Sequence, residues 1–206
     1  MTPLYWCGYM LCKLVGKLAF DFKVYGRENL IEEGGVILAS NHQSYLDPPC
    51  VGMACRREIF YLTRNTLQQR PFIGPVIARL NTIPVDRDRG DISSIKAIIR
   101  LLQAGNRVII FPEGTRSPDG KLQPARAGLG MIIAKTLVPV VPIRVFGTFE
   151  ALPRTGGLKF GPISVVVGKP MRFTDADLKG DRAAYLDLSN QVMVEIAKLH
   201  PPVGRH

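Results

Sequence analysis

The heptad Asn41–Asp47 carries a histidine and, five residues later, an aspartate. A carboxylate that holds an imidazole fixes its tautomer and steadies its protonated form, which makes the histidine a general base. A fully extended chain would place His42 and Asp47 about 17 Å apart, so they meet only if the chain doubles back. Pro48 disfavours a helical conformation for the residue before it and is itself favoured at the first helical position, so we expect Asp47 to cap a helix. The heptad therefore predicts a histidine–aspartate pair on a tight loop; the alternative is a capping aspartate beside an inert histidine.

Two later loops carry groups that suit a phosphate. Arg87 and Arg116 offer planar, permanently charged guanidinium groups. Glu113 can orient an arginine or accept a substrate hydroxyl, and Gly114 lets backbone amides approach an anion. For any single arginine the alternative is a solvated surface charge. Arg64, Arg79 and Arg126 stay near that alternative, although Arg64 and Arg126 lie close to the proposed site in sequence order.

Short apolar runs alternate with helical patterns along most of the chain. Val36–Ala39 and Arg107–Phe111 are typical of buried strands, and the apolar stripe from Ile92 to Leu102 is typical of a helix. This alternation predicts one α/β domain over residues 21–206, with a largely parallel central sheet flanked by helices. The prolines in Val138–Ile143 favour an edge strand or an irregular start. In such sheets the site lies at the carboxyl ends of the strands, where all three charged loops fall.

Residues 1–20 precede this domain and are rich in apolar and aromatic side chains. Lys13 and Lys17 are their only charges. The segment is short for a spanning helix and carries two lysines, and it lacks the features of a signal peptide. We expect an amphipathic helix in the membrane interface, with Trp6 at headgroup depth and the lysines towards anionic lipid. The alternative is a helix that covers one face of the core.

The composition narrows the choice of partner. The formal net charge is +10, which favours an anionic membrane surface or a phosphorylated substrate. Nucleic acid is disfavoured because no zinc-finger, RNA-binding or helix-turn-helix pattern occurs. The four cysteines form no C-x-x-C pair and the three histidines do not cluster with them, so neither a disulfide framework nor a metal site is expected.

Four motifs in this order and spacing resemble the glycerolipid acyltransferase family, most closely its bacterial 1-acyl-sn-glycerol-3-phosphate acyltransferases. They are Asn41–Asp47, Ile83–Arg87, Phe111–Ser117 and Val138–Ile143, and the resemblance covers about Asp21 to Val167. The first and third motifs together are highly specific. Two departures concern substrate contacts: Asn81-Thr82 stands where the family more often has a small residue, and Arg64 stands near a usual lysine.

The resemblance implies acyl transfer from a thioester to the free hydroxyl of a lysophosphatidate, giving phosphatidic acid. His42 would take the hydroxyl proton and Asp47 would hold the imidazole. The acceptor phosphate would bind to residues of the second and third motifs: Arg87, Glu113, Gly114, Thr115 and Arg116. Arg64 is a further candidate. Acyl-CoA or acyl carrier protein would be the co-substrate, with no cofactor or metal, and the protein would act at the cytoplasmic face of the membrane as a peripheral or monotopic enzyme.

Three alternatives remain open from the sequence. An acyltransferase with glycerol 3-phosphate or another lysophospholipid as acceptor would carry the same motifs. A serine hydrolase would use Ser44 or Ser117 with His42, but no G-x-S-x-G segment is present. A basic membrane-binding module would use the arginines for lipid phosphates and leave the histidine without a role.

Overall fold

Strands and helices alternate in a computed structural model that describes residues 2–64, 81–85, 92–174 and 180–202. The elements in chain order are α1 (Pro3–Ala19), β1 (Lys23–Tyr25), a 3-10 turn (Arg27–Asn29), β2 (Val36–Ser40), α2 (Asp47–Ala54), β3 (Tyr61–Arg64), β4 (Thr82–Val85), α3 (Ile92–Gln103), β5 (Arg107–Ile110), α4 (Ala127–Thr136), β6 (Val140–Phe146), α5 (Thr148–Ala151), β7 (Ser164–Val167) and α6 (Arg182–Lys198).

Five strands form the central sheet in the order β1-β7-β6-β2-β5. All neighbours are parallel except β6 and β7. Every residue of β2 is buried, as expected for a parallel strand covered on both faces, and Leu38 pairs with Val141 on one side and Ile109 on the other. A parallel β3–β4 pair adjoins this sheet through a bridge between Phe60 and Val108. The predicted α/β fold with a largely parallel sheet is confirmed.

Helices cover the two faces of the sheet with separate apolar clusters. One cluster joins α2 and the end of α1 to one face, and the other joins α3, α4 and α6 to the opposite face. Helices α4 and α6 approach closely at Gly130, where a Cβ atom would lie 1.8 Å from the carbonyl oxygen of Tyr185. Asp181 caps α6 as its sequence predicts, since its carboxylate accepts the amide of Ala184 at 2.7 Å.

The proline-bearing strand β6 lies inside the sheet, between β7 and β2, so the edge position is wrong. The alternative expectation of an irregular start is confirmed, because pairing with β2 begins at Val140 and pairing with β7 only at Ile143. Pro142 is tolerated there because pairing with β7 begins only one residue later, at Ile143 opposite Val167. The carbonyl of Pro142 still accepts the amide of Gly168 at 2.8 Å, on the side where its own missing N–H would point. The proline therefore costs the β6–β7 ladder at most one hydrogen bond, at the end where regular pairing begins.

Helix α1 is attached to the domain by one narrow side. Thr2 caps it, and Tyr5 and Gly16 are its buried residues. The Tyr5 hydroxyl lies 3.0 Å from that of Tyr61 and accepts the amide of Ile59 at 3.3 Å. Seven large apolar side chains of α1 remain exposed: Leu4, Trp6, Met10, Leu11, Leu14, Val15 and Leu18. Within the described ranges, no helix has the length and apolar character needed to cross a membrane.

Candidate active site

The site lies where β2, β5 and β6 end. The chain leaves β2 into Asn41–Asp47, leaves β5 into Phe111–Ser117, and leaves β6 through Gly147 into α5. These three strands are adjacent and parallel, so their carboxyl ends share one edge of the sheet. A topology of this kind brings residues that are far apart in sequence into one crevice.

His42 and Asp47 meet in this crevice. Nδ1 of His42 lies 2.9 Å from Oδ2 of Asp47, and the aspartate is fully buried. The side chain of His42 is 9% exposed. Because Nδ1 faces the carboxylate, Nε2 is the ring nitrogen left for a substrate proton. The prediction that the chain doubles back to pair these residues is confirmed.

Three further donors fix the Asp47 carboxylate. Oδ2 accepts the backbone amides of Gln43 at 2.6 Å and Ser44 at 2.7 Å. Oδ1 accepts the hydroxyl of Thr148 at 2.6 Å. Hydrogen bonds to an ionised acceptor are short and strong, so this set orients the carboxylate from two sides.

Asp47 does not cap α2, contrary to the sequence-based expectation. The helix begins at Asp47 itself, and Leu46 occupies the capping position without a side-chain bond. Pro48 and Pro49 have no N–H, and the next amide, that of Cys50, bonds to the carbonyl of Leu46 at 3.0 Å. The first turn therefore offers the carboxylate no amide, and the carboxylate points back into the loop.

Gln43 and Asn41 tie the loop to strand β6. The side-chain amide of Gln43 donates to the Thr148 hydroxyl at 2.9 Å and to the Val145 carbonyl at 3.1 Å. Asn41 pairs with Val145 in both directions, accepting its amide at 2.7 Å and donating to its carbonyl at 3.1 Å. Since Gln43 donates to the Thr148 oxygen, the single hydroxyl hydrogen of Thr148 is left for Asp47.

The loop after β5 supports His42 from its other side. The Phe111 ring stacks on the imidazole, with centroids 3.9 Å apart and planes 16° apart. The amide of His42 donates to Oε1 of Glu113 at 3.1 Å, and its carbonyl accepts the amide of Ser117 at 2.7 Å. Backbone and ring of the histidine are therefore both held by Phe111–Ser117.

Glu113 is a buried carboxyl group, only 2% exposed. Burial raises its pKa from 4.5 to about 7, against the lowering effect of the His42 and Gln123 amides, and the nearby Asp47 charge raises it further. Its Oε2 has no hydrogen bond within the described part of the chain. Its hydrogen bond from the His42 amide means that it supports the loop that carries the histidine.

Two arginines lie at the surface of the site, one within the loop after β5 and one packed against it. The guanidinium carbon of Arg116 is 3.6 Å from the centroid of the Tyr45 ring, and its Nη1 is buried without a hydrogen bond among the described residues. Gly114 has φ +68°, and a Cβ there would lie 2.8 Å from Cδ of Arg126. Arg126 is exposed, as expected from the sequence, and the stem of its side chain packs on the predicted phosphate loop.

Three further residues of the predicted phosphate set are described incompletely or not at all by the structure. Thr115 is half-buried in the loop beside Gly114. Arg64 ends β3 and pairs with Val85 in β4, but its side chain lies outside the described part. Arg87 lies outside the described residues, so its place in a phosphate site stays a prediction.

Four contributors were missed from sequence: Gln43, Phe111, Tyr45 and Thr148. Thr148 is separated from Asp47 by 101 positions, and no motif links them. The signal that could have found it is topological, because it follows the carboxyl end of a strand beside β2, as the other site loops do.

Comparisons with known proteins show the family to which the sequence is related. The sequence profile of the Acyltransferase family matches residues 21–146. A 1-acyl-sn-glycerol-3-phosphate acyltransferase of Bacillus subtilis is 30% identical over 190 residues, covering 89% of this chain and 92% of that protein. A chloroplastic enzyme of the same name from Brassica napus is 34% identical over 165 residues, 78% of this chain and 48% of its own length. The chain thus spans about half the length of such plant relatives.

A solved structure has the same fold. The 1-acyl-sn-glycerophosphate acyltransferase PlsC of Thermotoga maritima superposes with a TM-score of 0.71 at 24% identity, covering 94% of this chain and 81% of that one. The fold, the family profile over residues 21–146 and the near full-length bacterial relative agree. This chain therefore belongs to the acyltransferase family.

Proposed function

We propose that this protein transfers an acyl chain from an acyl thioester to the free hydroxyl of 1-acyl-sn-glycerol 3-phosphate, producing phosphatidic acid for phospholipid biosynthesis. The observation that carries the proposal is the 2.9 Å contact between His42 Nδ1 and the buried Asp47 carboxylate, which leaves Nε2 for the acceptor. Relatives that carry this activity in their names support the choice of acceptor.

His42 acts as the general base in the proposed reaction. Nε2 takes the proton of the acceptor hydroxyl as its oxygen attacks the thioester carbonyl, and Asp47 stabilises the imidazolium that forms. When the tetrahedral intermediate collapses, the C–S bond breaks and the imidazolium returns the proton to the leaving thiolate. General base catalysis of this kind contributes about 10²–10⁴-fold to the rate.

The acceptor phosphate binds at the loop after β5 in this proposal. Arg116 belongs to that loop, and Gly114 lets the loop backbone come close to an anion. Arg87, Glu113 and Thr115 complete the expected set, and Arg64 is a further candidate. Arg126 is added because its side chain packs on Gly114. The donor is acyl-CoA or acyl-acyl carrier protein, and the reaction needs no further cofactor.

The protein works as a peripheral protein on an anionic membrane surface, at the cytoplasmic face. Helix α1 supports this part of the proposal, because the side opposite Tyr5 and Gly16 is exposed and apolar. Lys13 and Lys17 flank that side and suit anionic headgroups. A surface-bound enzyme meets a membrane-borne acceptor without extracting it.

The purified chain should be incubated with labelled lysophosphatidate and each donor, and the product identified by mass spectrometry. We expect phosphatidic acid from at least one donor and little product when glycerol 3-phosphate replaces the acceptor. His42→Ala is the matched control and should form almost none. A preference for glycerol 3-phosphate would contradict the assignment of lysophosphatidate as the acceptor. Native turnover by His42→Ala would favour a non-catalytic membrane-binding module.

A further inference from the structure

We propose that the loop of residues 158–160 is a second membrane-contacting element, which docks on the same anionic phospholipid bilayer as α1. This inference rests on the membrane attachment proposed above and extends it to a segment about 140 positions away from α1 in the sequence. It concerns Leu158 and Phe160, which no motif of the family resemblance includes.

Both side chains are large, apolar and open to solvent. Leu158 is 54% exposed and Phe160 is 74% exposed. Neither contributes to the two buried clusters of the domain. An exposed phenylalanine and leucine two residues apart in a surface loop are typical of a contact with another phase or molecule.

The loop is held in place and lies at the end of α1. Its residue Lys159 donates its amide to the carbonyl of Ala151 at 2.7 Å, and Ile163 donates to the carbonyl of Phe20 at 2.8 Å. The Phe160 ring lies 5.8 Å from that of Phe20, the residue that ends α1. The loop is therefore fixed next to the C-terminal end of α1.

The apolar side chains of α1 lie along one side of the helix. At about 100° of rotation per residue, Met10, Leu14 and Leu18 follow one another at four-residue intervals. Leu18 is 76% exposed and lies two residues before Phe20. The stripe therefore reaches the last turn of α1, and Phe160 packs on Phe20 directly after that turn, so the helix and the loop are adjoining elements.

Charge identifies the occupant as anionic lipid. Residues 2–20 and 151–163 contain four cations and no acidic residue: Lys13, Lys17, Arg154 and Lys159. All four are exposed. A second copy of this chain would present the same positive charge to itself, whereas anionic headgroups attract it.

The test is a vesicle-binding measurement on the full chain. Native protein, Leu158→Ser/Phe160→Ser and Leu11→Ser/Leu18→Ser are titrated with phosphatidylcholine vesicles, with and without phosphatidylglycerol. We expect each double variant to bind the anionic vesicles about tenfold more weakly, because apolar side chains no longer enter the interface. Leu186→Ser/Val194→Ser is the matched control; its residues are 39% and 52% exposed on α6, across the sheet from α1.

A fluorescence measurement keeps the test decisive if a serine variant folds poorly. Trp6 is the only tryptophan, so Trp6→Phe combined with Phe160→Trp places a single probe in the loop. We expect its emission to shift to the blue on anionic vesicles and to be quenched by brominated acyl chains. A probe that stays in water, or a loop variant that binds like the α6 control, would overturn the proposal.

Neither measurement depends on acyl transfer. A chain that bound vesicles through the loop but acylated nothing would contradict the proposed reaction and support the docking surface. A chain that acylated dispersed lysophosphatidate while the probe stayed in water would support the proposed reaction and contradict the docking surface.

Discussion

Thr148 donates its hydroxyl to Oδ1 of Asp47 at 2.6 Å, and both residues are fully buried. Thr148 contacts no reacting atom in the proposed reaction, but its hydrogen bond orients the Asp47 carboxylate, which in turn orients His42. It is therefore a positioning residue in the proposed reaction. Its removal should affect the chemical step and spare acceptor binding.

Thr148→Val keeps the shape of the side chain and deletes the donor. We expect kcat to fall about tenfold or more, as for loss of a hydrogen bond to a charged group, with KM for lysophosphatidate nearly unchanged. Thr148→Ser keeps the hydroxyl and should restore most of kcat. Steady-state kinetics of both variants test this, and equal losses in the two would show that only packing matters.

His42→Ala and Asp47→Ala should both abolish most acyl transfer. The expected loss for the histidine is about 10²–10⁴-fold in kcat, the contribution of a general base. Asp47→Ala also strips the Gln43 and Ser44 amides of their acceptor, so we expect it to lower the free energy of unfolding as well. Denaturant unfolding alongside the kinetics separates the two effects, and native turnover in either variant would remove that residue from the mechanism.

Arg116→Ala and Arg126→Gln test the phosphate site. Both side chains lie by the loop after β5, so we expect KM for the acceptor to rise about tenfold with a smaller change in kcat. Arg100→Gln is the matched control, since Arg100 is exposed on α3. If Arg126→Gln resembles this control, Arg126 is the surface charge that the sequence predicts.

Glu113→Gln should change how stability depends on pH. Burial raises the Glu113 pKa from 4.5 to about 7, so the native state holds this proton more tightly than the unfolded state. The protonated Glu113 therefore adds to the free energy of unfolding. This contribution is fully present below pH 4.5 and is lost as the pH rises through 7. Glutamine does not titrate, so the variant has no such loss. Its free energy of unfolding, relative to that of the native protein, should therefore rise by on the order of 2 kcal/mol between pH 4.5 and pH 8.

Urea unfolding of both proteins at several pH values measures this difference. Contributions from titrating groups distant from Glu113 cancel when the two proteins are compared at one pH. A difference that does not change with pH would show that Glu113 titrates at its ordinary pKa.

Sequence patterns predicted most of what local physics determines. The alternation of apolar runs and helical stripes yielded the α/β fold, and the capping role of Asp181 followed from its residue type. The motif spacing located the His42–Asp47 pair and the family. These features depend on short segments whose preferences agree with the fold.

Contacts that depend on strand order were not predictable. The edge position expected for β6 failed because the register of β7, which starts opposite Ile143, decides whether Pro142 is harmful. The Thr148–Asp47 bond requires β6 to lie beside β2, which no single segment encodes. The capping role expected for Asp47 failed because the two prolines leave no amide for its carboxylate in the first turn of α2.

Those two prolines have a consequence for protein engineering. The acid, the base and two of the acid's donors all lie within Asn41–Asp47, and Pro48-Pro49 removes the local competitors for the carboxylate. A designer who grafts residues 41–49 onto another parallel sheet would need to supply the ends of both neighbouring strands. One would provide an equivalent of Val145 for Asn41 and a hydroxyl for Asp47, and the other a loop that holds His42 as Phe111–Ser117 does. The segment therefore carries the acid–base pair as one transferable unit, and the neighbouring strands provide the contacts that complete it.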